Sequence, residues 1–191
     1  SLNHRPPARR GLEGRPAGTP SQQGLPVLRA CWCDGAMTST EKSRTTIALI
    51  TGAGREGGLG HEVARQLAAK GHHVILTARD LAQVGPLADA INAEGLSASA
   101  LQLDLTDEDS VTTAVRAVAS EHGRLDVLVN NAVMMVPSAV SAAEKDMGEL
   151  SREFETNVVG TWCVTKHFFP LLDAGGHGRV VNVSSGAGSF W

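Results

Sequence analysis

Thr46-Ile47-Ala48-Leu49-Ile50-Thr51-Gly52-Ala53-Gly54-Arg55-Glu56-Gly57-Gly58-Leu59-Gly60 is the stretch that decides the fold. An apolar run with β-branched residues passes through five glycines into His61-Glu62-Val63-Ala64-Arg65-Gln66-Leu67-Ala68. That pattern is a buried strand, a tight turn and an amphipathic helix. A turn stripped of side chains lets backbone N–H groups and a helix N-terminus face an anionic pyrophosphate. A glycine-rich turn alone also serves as a plain strand–helix connection. The strand before it, the helix after it and a second strand at a suitable distance make it a dinucleotide site.

Outward from this corner, strand and helix alternate. Strands are expected at 46–51, 73–78, 99–105, 126–130 and 179–183. Helices are expected at 59–69, 81–94 and 110–122, with a long one within 145–172. Val111, Ala114, Val115 and Val118 give the third helix an apolar face at helical spacing. Thr106 is placed to cap its free N–H groups, and Asp107, Glu108 and Asp109 favour the positive end of its dipole. Gly71, Gly95 and Gly123 follow the first three helices, where a left-handed terminal residue is wanted. Gly85-Pro86 interrupts the second helix, which is expected to start late or kink there. Short apolar strands alternating with helices mean a parallel sheet covered on both faces. The fold class is α/β, a Rossmann-type doubly wound parallel sheet in three layers.

The 191 residues suffice for one domain with a well-buried core. Residues 1–36 are rich in Pro, Gly and Arg without apolar periodicity, so a disordered leader is expected over 1–40 and the folded domain over 41–191. The leader's Arg content loosely resembles a transit peptide, but Pro and Gly oppose an amphipathic helix, and no secretory apolar region is present. Met37-Thr38-Ser39-Thr40-Glu41-Lys42 reads as a natural start, with an extended leader before it. A net charge of −3 and the lack of a basic cluster in the domain argue against nucleic-acid binding. No apolar run approaches the ~18 residues of a membrane span. Cys31, Cys33 and Cys163 lack zinc or disulfide spacing, and Cys163 reads as a small core hydrophobe. His72, His73, His167 and His177 show no metal-ligand spacing, so no metal is expected. A reducing, cytoplasmic compartment fits this cysteine usage.

Thr51-Gly52 through Gly58-Leu59-Gly60, Leu103-Asp104-Leu105, Asn130-Asn131-Ala132, Asn157 and Asn182-Val183-Ser184-Ser185 follow one another in the order seen in short-chain dehydrogenases/reductases. The segment 73–80 resembles the carbonyl-reductase-like members, and the resemblance extends from Thr45 to about Gly188. It implies that the chain is the N-terminal part of an oxidoreductase that moves hydride between a nicotinamide and a small-molecule carbonyl or alcohol; the alternatives are a catalytically inert dinucleotide-binding module and a non-functional truncated product. Cofactor contacts are implied for Gly52, Gly58, Leu59 and Gly60. The loop between Gly52 and Gly58 is two residues longer than the family pattern. Arg55 within it either approaches the adenosine phosphate or bulges into solvent.

Where NAD-selective folds place an acid about 20 residues past the glycines, this chain has Ala78 followed by Arg79. A guanidinium matches a phosphate, so Arg79 favours NADP(H), with NAD(H) the alternative should Asp80 hold the ribose. Asp80 reads more simply as a helix cap. The resemblance further implies adenine contacts at Asp104 and Leu105, a sheet-stabilising role for Asn130, and cofactor contact near Asn131 and Ala132. Asp104 also reads as an ordinary strand-end carboxylate that satisfies a turn. Val133 stands where the family has Gly and adds β-branched bulk. Asn157 matches the family's Asn at a helix kink that holds a relay water. Ser185 matches the catalytic serine that donates to the substrate oxygen.

The family's Tyr-x-x-x-Lys motif, with its proton-donating Tyr, has no counterpart in these 191 residues, which contain no tyrosine. Family members commonly assemble through the long helix and the one carrying that motif, so a homo-oligomer of the usual kind is not expected here. The strand at 179–183 is expected to present an exposed apolar edge. General acid catalysis supplies ~10²–10⁴-fold, so the 191-residue chain should show no NADPH-dependent carbonyl reduction above background. A steady-state assay that detects turnover contradicts this.

Overall fold

The computed structural model describes residues 44–135 and 143–185. The leader expected over 1–40, and the start at Met37, lie outside the described residues. Strands β1 (Ile47–Ile50), β2 (His73–Ala78), β3 (Ala98–Gln102), β4 (Val127–Asn130) and β5 (Arg179–Asn182) alternate with helices α1 (Leu59–Ala69), α2 (Leu81–Ala93), α3 (Glu108–His122), α4 (Met147–Phe154) and α5 (Thr161–Ala174). All strand pairs are parallel, in the order β3-β2-β1-β4-β5. The chain winds outward from β1 to β3, then returns to lay β4 on the other side of β1. That reversal opens a crevice at the C-terminal ends of β1 and β4, where open parallel sheets take ligands.

Alternation along β1 feeds two cores. Ile47 and Leu49 join Leu128, Val111, Val118, Val164 and Phe168 on the α3/α5 face. Ala48 and Ile50 join Ala64, Ala68, Val84 and Ile91 on the α1/α2 face. The sheet is therefore covered on both sides over β1, β2 and β4. At β5 the cover ends: all four of its residues are exposed, and Val180 and Val181 present their side chains to solvent. The apolar edge anticipated for 179–183 is there.

The local expectations fail in instructive ways. Helix α3 begins two residues earlier than expected and is capped by Asp107, whose carboxylate accepts from Asp109 N. Thr106 is not the cap, because its hydroxyl donates to Asp104 Oδ1 at 2.8 Å. Strand β3 stops at Gln102 rather than 105, since Asp104 folds the chain into a turn by accepting Thr106 N at 2.9 Å. Helix α2 does not start late: Asp80 accepts from Ala82 N at 2.9 Å and fixes its first residue as Leu81. Pro86 lies in the second turn, so the acceptor it deprives is the Ala82 carbonyl, on an exposed residue that water can satisfy. The long helix within 145–172 is two helices joined by a π-helical turn, Glu155–Gly160.

Asp126, just before β4, is a buried acid that joins three strands. Its Oδ2 accepts Ile47 N at 2.8 Å, its Oδ1 accepts Arg44 Nη2 at 2.9 Å, and its carbonyl accepts Arg179 N at 2.9 Å. Removing the carboxylate leaves a buried strand amide unpaired. Asp126→Ala should therefore lower stability by about 2 kcal/mol, read as a reduced urea midpoint at unchanged m-value. A loss under about 0.5 kcal/mol, the size of an ordinary surface change, would contradict the role given to Asp126.

Candidate functional site

The C-terminal ends of β1, β2 and β4 bring the glycine corner, Arg79 and Asn131 to one rim of the sheet. Thr51 is fully buried there. Its hydroxyl accepts Asn131 N and Ala132 N, each at 3.0 Å, and donates toward Val129 O at 3.4 Å. Asn131 Nδ2 donates to Thr51 O at 2.9 Å and Gly52 O at 3.1 Å. Ala53 N donates to Thr77 O at 2.9 Å, which ties the corner to β2 as well.

The glycines are required by space. A Cβ at Gly52, whose φ is +66°, would stand 2.6 Å from Ala132 Cα. A Cβ at Gly60 would stand 2.5 Å from Asn131 Nδ2 and 3.0 Å from Gly52 O. The packing of Gly60 into the corner supports matching Gly58-Leu59-Gly60 to the second half of the motif. In this longer loop Arg55, Glu56 and Gly57 are exposed, and Gly58 N closes a turn onto Arg55 O at 3.0 Å. Of the two alternatives for Arg55, the structure shows it on the exposed outer loop, its Cβ stem lying 3.2 Å from where a Gly58 Cβ would be.

Helix α1 starts at Leu59 with no side-chain cap, whereas α2, α3 and α4 are each capped by an aspartate: Asp80, Asp107 and Asp146. Its first-turn N–H groups have no intrahelical acceptor and no side-chain cap. Arg65 is occupied nearby, donating to Glu62 at 2.9 and 3.1 Å. That guanidinium, then Gln66, lowers the Glu62 carboxyl to about 2.

Arg79 is exposed at the end of β2. It and Asp104 line one open depression of about 400 Å³, together with Gln102, Asp107, Ser110 and Thr113. Asp80 caps the helix, its Oδ1 accepting Ala82 N. Asp104 accepts both the amide and the hydroxyl of Thr106, so it serves the turn. Leu105, expected to flank an adenine ring, places its side chain in the α3/α5 core instead. Asn131 likewise spends its side chain on the corner's own carbonyls. Val133 keeps an ordinary backbone conformation, and its side chain is 71 % exposed beside the corner.

Asn130 Nδ2 donates to Asn182 Oδ1 at 2.8 Å and Thr165 Oγ1 at 3.1 Å, linking β4 to β5 and α5. Asn157 lies in the π-helical turn and clamps one residue from both sides: Oδ1 accepts Met134 N at 2.7 Å and Nδ2 donates to Met134 O at 2.8 Å. Ser185 follows β5 at the same rim, exposed. Sequence reasoning missed Thr51 as the hub of the corner, and Gly160, where a Cβ would come 2.8 Å from Leu105 O. It also missed two side-chain groups: His73 with Glu121 and His122, and Glu108 with Cys163 and His167. Cys163 packs against the core as expected, and burial raises its thiol pKa.

Residues 46–190 match the family described as short chain dehydrogenase. An uncharacterized oxidoreductase of Bacillus subtilis is 32% identical over 142 residues, covering 74% of this chain and 54% of that protein. Carbonyl reductase (NADPH) 1 of Sus scrofa is 38% identical over 147 residues, covering 76% of this chain and 49% of that protein. Among solved structures, a metagenomic short-chain oxidoreductase in complex with NADP superposes with a TM-score of 0.69 at 32% identity, over 76% of this chain and 64% of that one. The chain spans about half the length of the curated relatives it matches.

Gly52 and Gly57 share φ +66°, but only Gly52 faces a neighbour within 4 Å. Gly57→Ala should cost about 1 kcal/mol from the left-handed backbone alone, and Gly52→Ala at least about 2 kcal/mol, because overpacking adds to it. Equal urea midpoints for the two variants would contradict the close contact at Gly52.

Proposed function

The chain belongs to the short-chain dehydrogenase family, and from that premise we propose that its described residues form the dinucleotide-binding part of an NADP(H)-dependent oxidoreductase interconverting a small-molecule carbonyl and alcohol. The observation that carries this reading is the corner itself. Gly52 and Gly60 leave room that a Cβ would fill, and α1 opens on uncapped N–H groups. A pyrophosphate fits such a place: small, anionic and able to accept several amides at once.

Gly52, Gly58, Leu59 and Gly60 would hold the pyrophosphate by backbone. Arg79 would grip the 2′-phosphate, with Asp104 and the backbone at Leu105 at the adenosine end of the same depression. NADP(H) is preferred over NAD(H) on this reading, because Asp80 is committed to capping α2 and a cation stands where an acid would otherwise take the ribose. Arg55, on the exposed outer loop, is a second cation within reach of the phosphates.

Asn131 and Ala132 act through Thr51: their amides fix the hydroxyl that holds the corner open. Asn157 positions the segment after β4 through Met134. Ser185 would donate its hydroxyl proton to the substrate oxygen and hold it at the rim. When bound, the dinucleotide supplies or accepts the hydride.

No helix among the described residues is long and apolar enough to cross a membrane. The free thiol of Cys163 agrees with a cytoplasmic location. Phe154 on α4, Val158 in the π-helical turn, and Trp162 and Phe169 on α5 are exposed apolar residues.

Arg79→Ala should weaken NADPH binding at least about tenfold, the worth of one charge-assisted contact, and leave NADH binding unchanged. Calorimetric titration of both cofactors checks it. An equal loss for NADPH and NADH would remove Arg79 from the 2′-phosphate, and binding of neither by folded parent protein would end the dinucleotide reading.

A further inference from the structure

The end of the sheet opposite the glycine corner carries a side-chain group that the oxidoreductase reading does not use. His73 opens β2, while Glu121 and His122 close α3. The two imidazole rings lie 4.9 Å apart, centroid to centroid. One ring nitrogen from each histidine and a Glu121 carboxylate oxygen all fall within 4.8 Å of one another. Glu121 is exposed and the histidines are partly buried, so the group opens to solvent on its carboxylate side.

His122 Nε2 is buried and, among the described residues, has no hydrogen-bond partner. Glu121 Oε1 stands 3.8 Å from it, beyond hydrogen-bond reach. His73 is held differently. Its Nδ1 meets Ser97 Oγ at 2.7 Å and its Nε2 meets Ser99 Oγ at 3.1 Å. A serine hydroxyl either donates or accepts, so one His73 nitrogen can turn to a ligand while the other stays hydrogen-bonded and fixes the ring. That is the arrangement of metal-bound histidines, whose far nitrogen is anchored by a second group.

We propose that His73, His122 and Glu121 form a zinc site that fastens the C-terminus of α3 to the start of β2. Two imidazoles and a carboxylate are a borderline-soft N/O set that suits zinc, with water in the fourth position. Closing from the separations seen here to Zn–ligand distances of about 2.0–2.2 Å asks the exposed Glu121 side chain to move in and one His73 nitrogen to leave its serine. The role is structural. Dinucleotide binding at the other end of the strands would proceed unchanged with the metal in place.

Titration of the folded 191-residue chain with zinc chloride, followed by calorimetry and X-ray absorption, tests this. The expected result is one equivalent bound in a shell of nitrogen and oxygen only. Affinity should fall at least about tenfold in Glu121→Gln and in His122→Gln, and stay unchanged in Cys163→Ser, which alters the other candidate group. Glu121→Gln is a surface change that leaves the fold intact, so a folding defect in the histidine variant does not blunt the test. Full affinity in both Glu121→Gln and His122→Gln, sulfur in the shell at about 2.3 Å, loss on Cys163→Ser, or no zinc uptake would overturn the assignment.

Discussion

The Thr51 hydroxyl is the contact on which the functional end of this molecule depends. A hydroxyl offers one donor and two acceptors, and Thr51 uses all three, on Val129 O, Asn131 N and Ala132 N. These bonds join the end of β1 to the end of β4, the pair of strands between which the winding direction reverses. The Asn131 amide completes the tie by taking the carbonyls of Thr51 and Gly52. The carbonyls of Thr51 and Gly52 and the amides of Ala53, Gly57 and Gly58 are thus all engaged within the fold, which fixes the shape of the corner.

A second brace reaches the rim from the far side of the sheet. The π-helical turn between α4 and α5 turns Asn157 toward the segment after β4, where it grips both backbone groups of Met134. Three residues later, Gly160 lets the same helical segment press onto Leu105 as the chain leaves β3. One irregular turn thus supports two of the loops that border the site. Irregular helix geometry is costly in isolation and recurs where function needs a side chain aimed off the regular face.

Much of this was legible because it is local. The apolar run 46–50, the glycines after it and the amphipathic 59–69 segment fix strand, corner and α1 from neighbouring residues alone. Asp80 as a cap and Gly123 as the left-handed end of α3 are read the same way. What stayed hidden joins distant parts of the chain. Thr51 and Asn131 are 80 residues apart, and the pairing of His73 with His122 needs β2 and the end of α3 to be set side by side. The choice of Asp107 over Thr106 as cap turned on a competing acceptor, Asp104, that only the folded turn presents. Leu105 matched its motif in sequence, yet the turn that Asp104 makes after β3 leaves its side chain in the core.

The central claim is that backbone N–H groups of the glycine corner, with Arg79 beside them, receive a nicotinamide dinucleotide phosphate. Amide NMR of the folded 191-residue chain during titration with NADPH addresses those groups one by one. The account predicts that the amides of Gly52, Gly58, Leu59, Gly60 and Arg79 shift together along one saturable curve, while those of Val118, His122 and His73 at the opposite end stay in place. Shifts confined to other parts of the chain, or none at saturating NADPH, would contradict it.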